Sequence, residues 1–194
     1  MDGADSLTGF EVSGWRVLLN TEASSLVEFA VCLPLLVVLV IGIFDFGGAF
    51  NQKQILNNAV REGARFGASQ PTNDLCTSCG APASVDAIRF LVDSYLLSAR
   101  VNDCGLSTAA VPSAGPPWAY SANTGCAGTL TLTVDRGVAL PETGSPTVYL
   151  LATQVTVSYP YQWHFNNVIQ LVAPGASFAS ISLITTSATA VNMD

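Results

Sequence analysis

Charge is what this chain has least of. Only 11% of its 194 residues are Asp, Glu, Lys or Arg, against about a quarter in an average soluble domain. Bases are scarcest: seven Lys and Arg stand against fourteen acids, for a formal charge of −7. No phosphate-neutralising surface can be built from that balance, so no nucleic acid partner is expected. The single histidine, His164, makes a histidine-rich metal site impossible. A Gly-rich phosphate loop, a Ser/His/acid set and metal-ligand spacing are all missing, so neither an enzyme nor a cofactor is expected. The composition also argues against disorder, which needs low hydrophobicity and high charge; here 49% of residues are hydrophobic and mean hydropathy is +0.43.

The apolar residues are concentrated. From Phe29 to Phe44 the chain reads FAVCLPLLVVLVIGIF without a charge. At 1.5 Å per residue that run covers about 24 Å, slightly less than the hydrocarbon core of a bilayer. Extension through Ser24–Val27 and Phe46–Phe50 supplies the missing length and brings in Glu28 and Asp45, one acid near each end. A secretory signal is the competing reading, but no basic run precedes the stretch and no A-x-A site follows it. Asp45 lies about 25 Å along a helix from Glu28, and a solvated position at the opposite interface is expected for it. Pro34 removes one helical hydrogen bond, which predicts a kink or a loosened turn.

Beyond the span, Ile55, Leu56, Ala59, Val60, Gly63 and Phe66 keep a helical spacing, so one helix is expected from residue 24 to about 68. A second helix is predicted over Ser84–Ala99, with Ile88, Leu91, Val92, Tyr95 and Leu96 as its buried stripe. Residues 101–128 carry so many Gly and Pro that they read as irregular loop. The period then becomes two. Leu130, Leu132 and Val134, then Val155, Val157 and Tyr159, then Ile181 and Leu183 alternate with Thr and Ser, as strands with one buried face do. The Gly/Pro-bearing stretches from Gly137 to Pro146 and from Pro160 to Ser177 read as the joins between them. The predicted fold class is α+β: a long N-terminal transmembrane helix packed on a small antiparallel sheet of three or four strands, with one extra helix. The aromatic run Tyr159 to Phe165 suits a sticky patch or an interfacial belt, though closure of a small core is the expectation. His164 has no acid near it in sequence, so no catalysis is expected there.

Cys32 sits in the apolar run and reads as a small hydrophobe. Cys76, Cys79, Cys104 and Cys126 fall in the loop-rich middle, an even number that suggests two disulfides and an oxidising compartment. Three pairings are possible. A redox C-x-x-C at Cys76 and Cys79 would want a preceding thioredoxin-type strand, and a zinc site would want a second C-x-x-C; neither occurs. Lys53, Arg61 and Arg65 follow the span whereas Arg16 alone precedes it. The positive-inside rule by itself would therefore put the C-terminal part in the cytoplasm. With so few bases the cysteines are the better guide, and they point outward.

The segment Ser24-Ser25-Leu26-Val27-Glu28-Phe29-Ala30 resembles the mature start of type IV pilin-like proteins, and most closely the TadE-like minor pilins of the tight-adherence pilus. Leu33-Pro34-Leu35-Leu36, Gly42-Ile43-Phe44-Asp45-Phe46-Gly47 and Arg61-Glu62-Gly63-Ala64-Arg65 are similar to that family's N-terminal pattern, and Val155–Tyr161 and the close at Met193-Asp194 to its C-terminal one. The resemblance implies a leader of residues 1–23 cut by a prepilin peptidase between Ala23 and Ser24. It also implies a transmembrane half-helix over residues 24–50, an extracytoplasmic domain over residues 51–194, and Glu28 as a carboxylate used in assembly. The implied setting is the bacterial inner membrane or a surface pilus, with other pilin subunits and the assembly machinery as partners. A single-pass anchored binding domain that never polymerises is the alternative.

Overall fold

The computed structural model describes residues 21–76, 79–142, 144–165, 175 and 181–193. Helix α1 (Thr21–Ala68) is followed by α2 (Ala83–Ser98), a 3-10 turn at Leu106–Thr108, and strands β1 (Trp118–Ala122), β2 (Leu130–Glu142), β3 (Ser145–Gln162) and β4 (Ile181–Val191). The four strands form one antiparallel sheet in the order β1-β2-β3-β4. The fold is thus α+β, with the long helix, the second helix and the sheet that the periodicities predict.

Helix α1 runs 48 residues, with Pro34 inside it, and is about 72 Å long. Its first half carries a stretch with mean hydropathy 2.8, long and apolar enough to cross a membrane, and none of that stretch is buried. Its second half is amphipathic and packs on the domain. Leu56, Ala59, Val60 and Ala64 enter a core shared with Val85, Ile88, Val92 and Leu96 of α2. From the sheet come Trp118 and Tyr120, Leu130, Leu132 and Val134, and Val155 and Val157, the inward residues of period-two strands. The outward face is a ladder of hydroxyls and amides, with Ser158 bonded to Thr185 at 2.9 Å and the Gln154 amide donating to Thr189 Oγ1 at 3.3 Å.

Two glycines let three elements meet. A Cβ at Gly63 would lie 3.1 Å from Val92 and 3.6 Å from Val155, and one at Gly67 would lie 2.6 Å from Ile88 Cδ1 and 2.8 Å from Thr153 Cγ2. Close approach of α1 to α2 and β3 together is what these positions supply. Arg61 and Arg65 face water on the other side, with Arg65 3.8 Å from Glu62.

The end of α1 is held by a buried arginine. Arg136 on β2 is fully buried, donates to the Gln70 carbonyl at 2.7 Å, the Pro71 carbonyl at 3.2 Å and Ser84 Oγ at 2.6 Å, and lies 3.6 Å from Asp74. Asp74 in turn accepts the Ser84 N–H at 3.2 Å, capping α2 from outside the helix where Pro82 makes no side-chain hydrogen bond. The Met193 N–H donates to the Ala68 carbonyl at 2.9 Å, so β4 finishes beside the last turn of α1.

Pairing of β3 with β4 ends at Ala152 and Val191. Earlier β3 residues pair with β2 alone, as a hairpin that runs past the end of α1. At 3.3 Å per residue it projects about 16 Å. Val148, Tyr149, Leu150 and Leu151 are all exposed on it, on both faces.

Two expectations need correction. Residues 101–128 are not all loop: they contain β1, paired with β2 from Trp118↔Val134 to Ala122↔Leu130. Nor do Gly137 and Pro141 end β2, which continues through both with a register shift between Asp135 and Val138.

Candidate functional site

The apolar half of α1 presents its side chains outward all round. Leu26, Phe29, Leu35, Ile43, Phe44 and Phe50 are exposed, as is Glu28. A helix apolar on every side requires an apolar surround, either lipid or other helices. α1 continues through Ala23 and Ser24; the side chains of these two residues, and the rest of the expected leader through residue 20, lie outside the described residues.

At the other end of the apolar half the sheet touches the helix. The Asp45 side chain is buried rather than solvated, which corrects the sequence expectation. Its Oδ2 accepts the Phe165 backbone N–H at 2.7 Å, and its Oδ1 lies 3.3 Å from His164 Nδ1. The Tyr161 hydroxyl donates to the Asp45 carbonyl at 3.1 Å. These partners come from the end of β3 and the three residues after it, some 120 residues away in sequence, so no acid lies near His164 along the chain. Burial of a carboxylate is costly unless hydrogen bonds replace its water, and His164 and Phe165, just after β3, supply them. Small residues make the approach possible. A Cβ at Gly48 would lie 2.9 Å from the Tyr161 hydroxyl, and one at Gly42 would lie 3.6 Å from the Phe165 ring. Phe46, Trp163 and Tyr161 stack edge to face, with centroids 5.3 and 4.9 Å apart. The aromatic run therefore closes on α1 at the edge of the apolar half, and only Tyr159 of its members joins the main core.

The cysteines pair locally. Cys76 and Cys79 lie at disulfide distance with Cα atoms 5.8 Å apart, and Cys104 and Cys126 likewise with Cα atoms 5.4 Å apart. Asn102 organises the second pair: its Oδ1 accepts the Cys104 N–H at 2.9 Å and its amide donates to the Gly125 carbonyl at 2.8 Å. Cys32 is exposed on the apolar half of α1. Among the described residues, no group of three or more His, Cys, Asp or Glu could hold a metal ion.

Ionisable groups inside the domain serve packing. The Arg89 guanidinium is buried, bonds Asp86 at 2.8 Å and the Leu106 carbonyl at 2.8 Å, and lies over the Tyr120 ring. Burial, with the Asp86 charge beside it, pushes the Tyr120 hydroxyl up to about 12. Burial first, then the hydrogen bond and like charge of Asp103, push Asp93 up to about 6 against the pull of Arg89.

The helix that carries Glu28 and Asp45 is also where a family is recognised. Residues 23–65 match the TadE-like protein family. The TadE-like segment holds every N-terminal motif on which the resemblance was read, from Leu26 to Arg65, and none of the C-terminal ones. It opens at the residue before the expected cut and closes within the part of α1 that packs on the sheet. The match implies a protein associated with the tight-adherence pilus and, through its apolar helix, with a membrane. No curated protein and no solved structure matched the chain.

Proposed function

We propose that the chain is a minor pilin, or pseudopilin, that helps assemble, prime or tip a tight-adherence pilus. The observation that carries this reading is the TadE-like match over residues 23–65, laid on a helix whose apolar half is mostly exposed. In this reading a prepilin peptidase cuts between Ala23 and Ser24. The subunit waits in the inner membrane with residues 51–194 outside the cytoplasm, where two disulfides form, and it is structural rather than enzymatic.

Glu28 then has a defined task. An unpartnered acid costs about 2.5–3.5 kcal/mol at the centre of a membrane helix and less near its end, where Glu28 lies. The amine released at Ser24 stands four residues away, one turn along the helix, and can pair with Glu28 of its own or a neighbouring subunit. Such a pair favours one axial register as helices leave lipid for a filament.

Glu28→Gln is expected to insert in the membrane normally and to be absent from sheared pili, with Glu28→Asp partly restoring it; immunoblots of membrane and pilus fractions measure both. Edman sequencing of the mature protein should begin at Ser24. Unaltered incorporation of Glu28→Gln refutes the assembly role. An intact Met1 on a protein found only in membranes favours the non-polymerising anchored domain instead.

A further inference from the structure

We propose that the segment just after β3, Trp163-His164-Phe165, is a second bilayer contact, entering the same leaflet as the C-terminal end of the apolar half of α1 and packing against lipid acyl chains and headgroups. The proposal rests on the membrane-spanning reading of that helix, and not on pilus assembly.

The geometry is a matter of depth. Phe165 packs at Gly42, where an added Cβ would meet its ring at 3.6 Å. Gly42 belongs to the uncharged run from Phe29 to Phe44, about 4.5 Å further into that run than Asp45 at 1.5 Å per residue. A side chain resting on a residue inside hydrocarbon shares its solvent. Phe165 also forms one wall of a shallow concavity of about 730 Å³ whose other walls include Leu35, Val38, Leu39 and Phe46. Leu35 and Phe46 also belong to the exposed apolar flank of α1. The concavity is therefore continuous with the surface that faces lipid if the helix spans, which makes acyl chains its occupant.

The polar atoms agree with an interfacial position. Trp163 donates its indole N–H to Ser182 at 2.7 Å and sets its ring against Phe46 and Tyr161, the amphipathic arrangement suited to the headgroup boundary. The Asp45 carboxylate receives the Phe165 N–H and faces His164. An acid at this depth thus keeps hydrogen bonds that do not depend on water. The His164 side chain is 79% exposed, on the outer side of the contact.

The test uses Trp163 as its own depth gauge. Full-length protein carrying Trp15→Phe is reconstituted in phosphatidylcholine vesicles with or without brominated acyl chains. Trp118, 1% exposed in the core, is the only other indole. Trp163 should lose most of its emission to brominated lipid and little to aqueous iodide, and the added substitution Trp163→Phe should abolish the lipid-dependent loss. Flotation with the vesicles but quenching by iodide alone overturns the contact and leaves the spanning helix intact. Failure to float overturns both.

Discussion

Asp93 lies on the buried side of α2, beside Asp103 and Arg89. Its carboxyl titrates near 6 in the fold, against about 3.9 in an unfolded chain. The folded state therefore holds a proton that the unfolded state has lost between those values. The stability from this group is fully present below about pH 4 and is lost as pH rises through about 6. Thermal melts of the detergent-solubilised chain should show this part of the stability rising on acidification from pH 7 to pH 5, and Asp93→Asn should flatten the rise. An unchanged slope in the variant would mean that another group sets it.

Between α1, α2 and β3 there is no space for a methyl group at Gly67. Gly67→Ala would press on Ile88 and Thr153, and overpacking of this kind costs about 1–3 kcal/mol. Chemical denaturation should show that loss, while the same substitution at Gly47, which has nothing within 4 Å, should leave the domain unaffected. At the scale of elements most of the fold is legible in the sequence, because α1, α2 and the longer strands each bury one face and so print their period on the chain. β1 did not stand out, since its five residues sit among prolines and glycines; the alternation Trp118, Tyr120, Ala122 was the signal available. The lengths of β2 and β3 are harder to see, because Gly137, Pro141 and Pro160 look like joins, whereas a hairpin tolerates them at a register shift and near its ends. The TadE-like helix was legible through its motifs. The Asp45–His164–Phe165 junction was not, because it is made by chain closure over more than a hundred residues and follows no local period.

For the molecule as a whole, the cysteines bear on where the domain resides. If residues 51–194 fold outside the cytoplasm, thiol labelling of unreduced, denatured protein should modify Cys32 alone, with the other four protected until reductant is added. The Cys104–Cys126 link spans 22 residues, so replacing both with serine should cost about 2–4 kcal/mol. Loss of the Cys76–Cys79 link, which spans three residues, should cost less, because the loop it closes is far shorter. Four readily labelled domain thiols in native membranes would place the domain in a reducing compartment.

The hairpin beyond the end of α1 gives the chain a second oily pole. Tyr149 and Leu151 stand out at the end opposite the helix that passes Glu28, with a mostly hydroxylated sheet face between. In colloid terms the molecule has the layout of an end-capped associating chain, two apolar ends joined by a polar middle. Detergent or bilayer around the apolar half of α1 would shield that end alone and leave Tyr149 and Leu151 in water at the far tip.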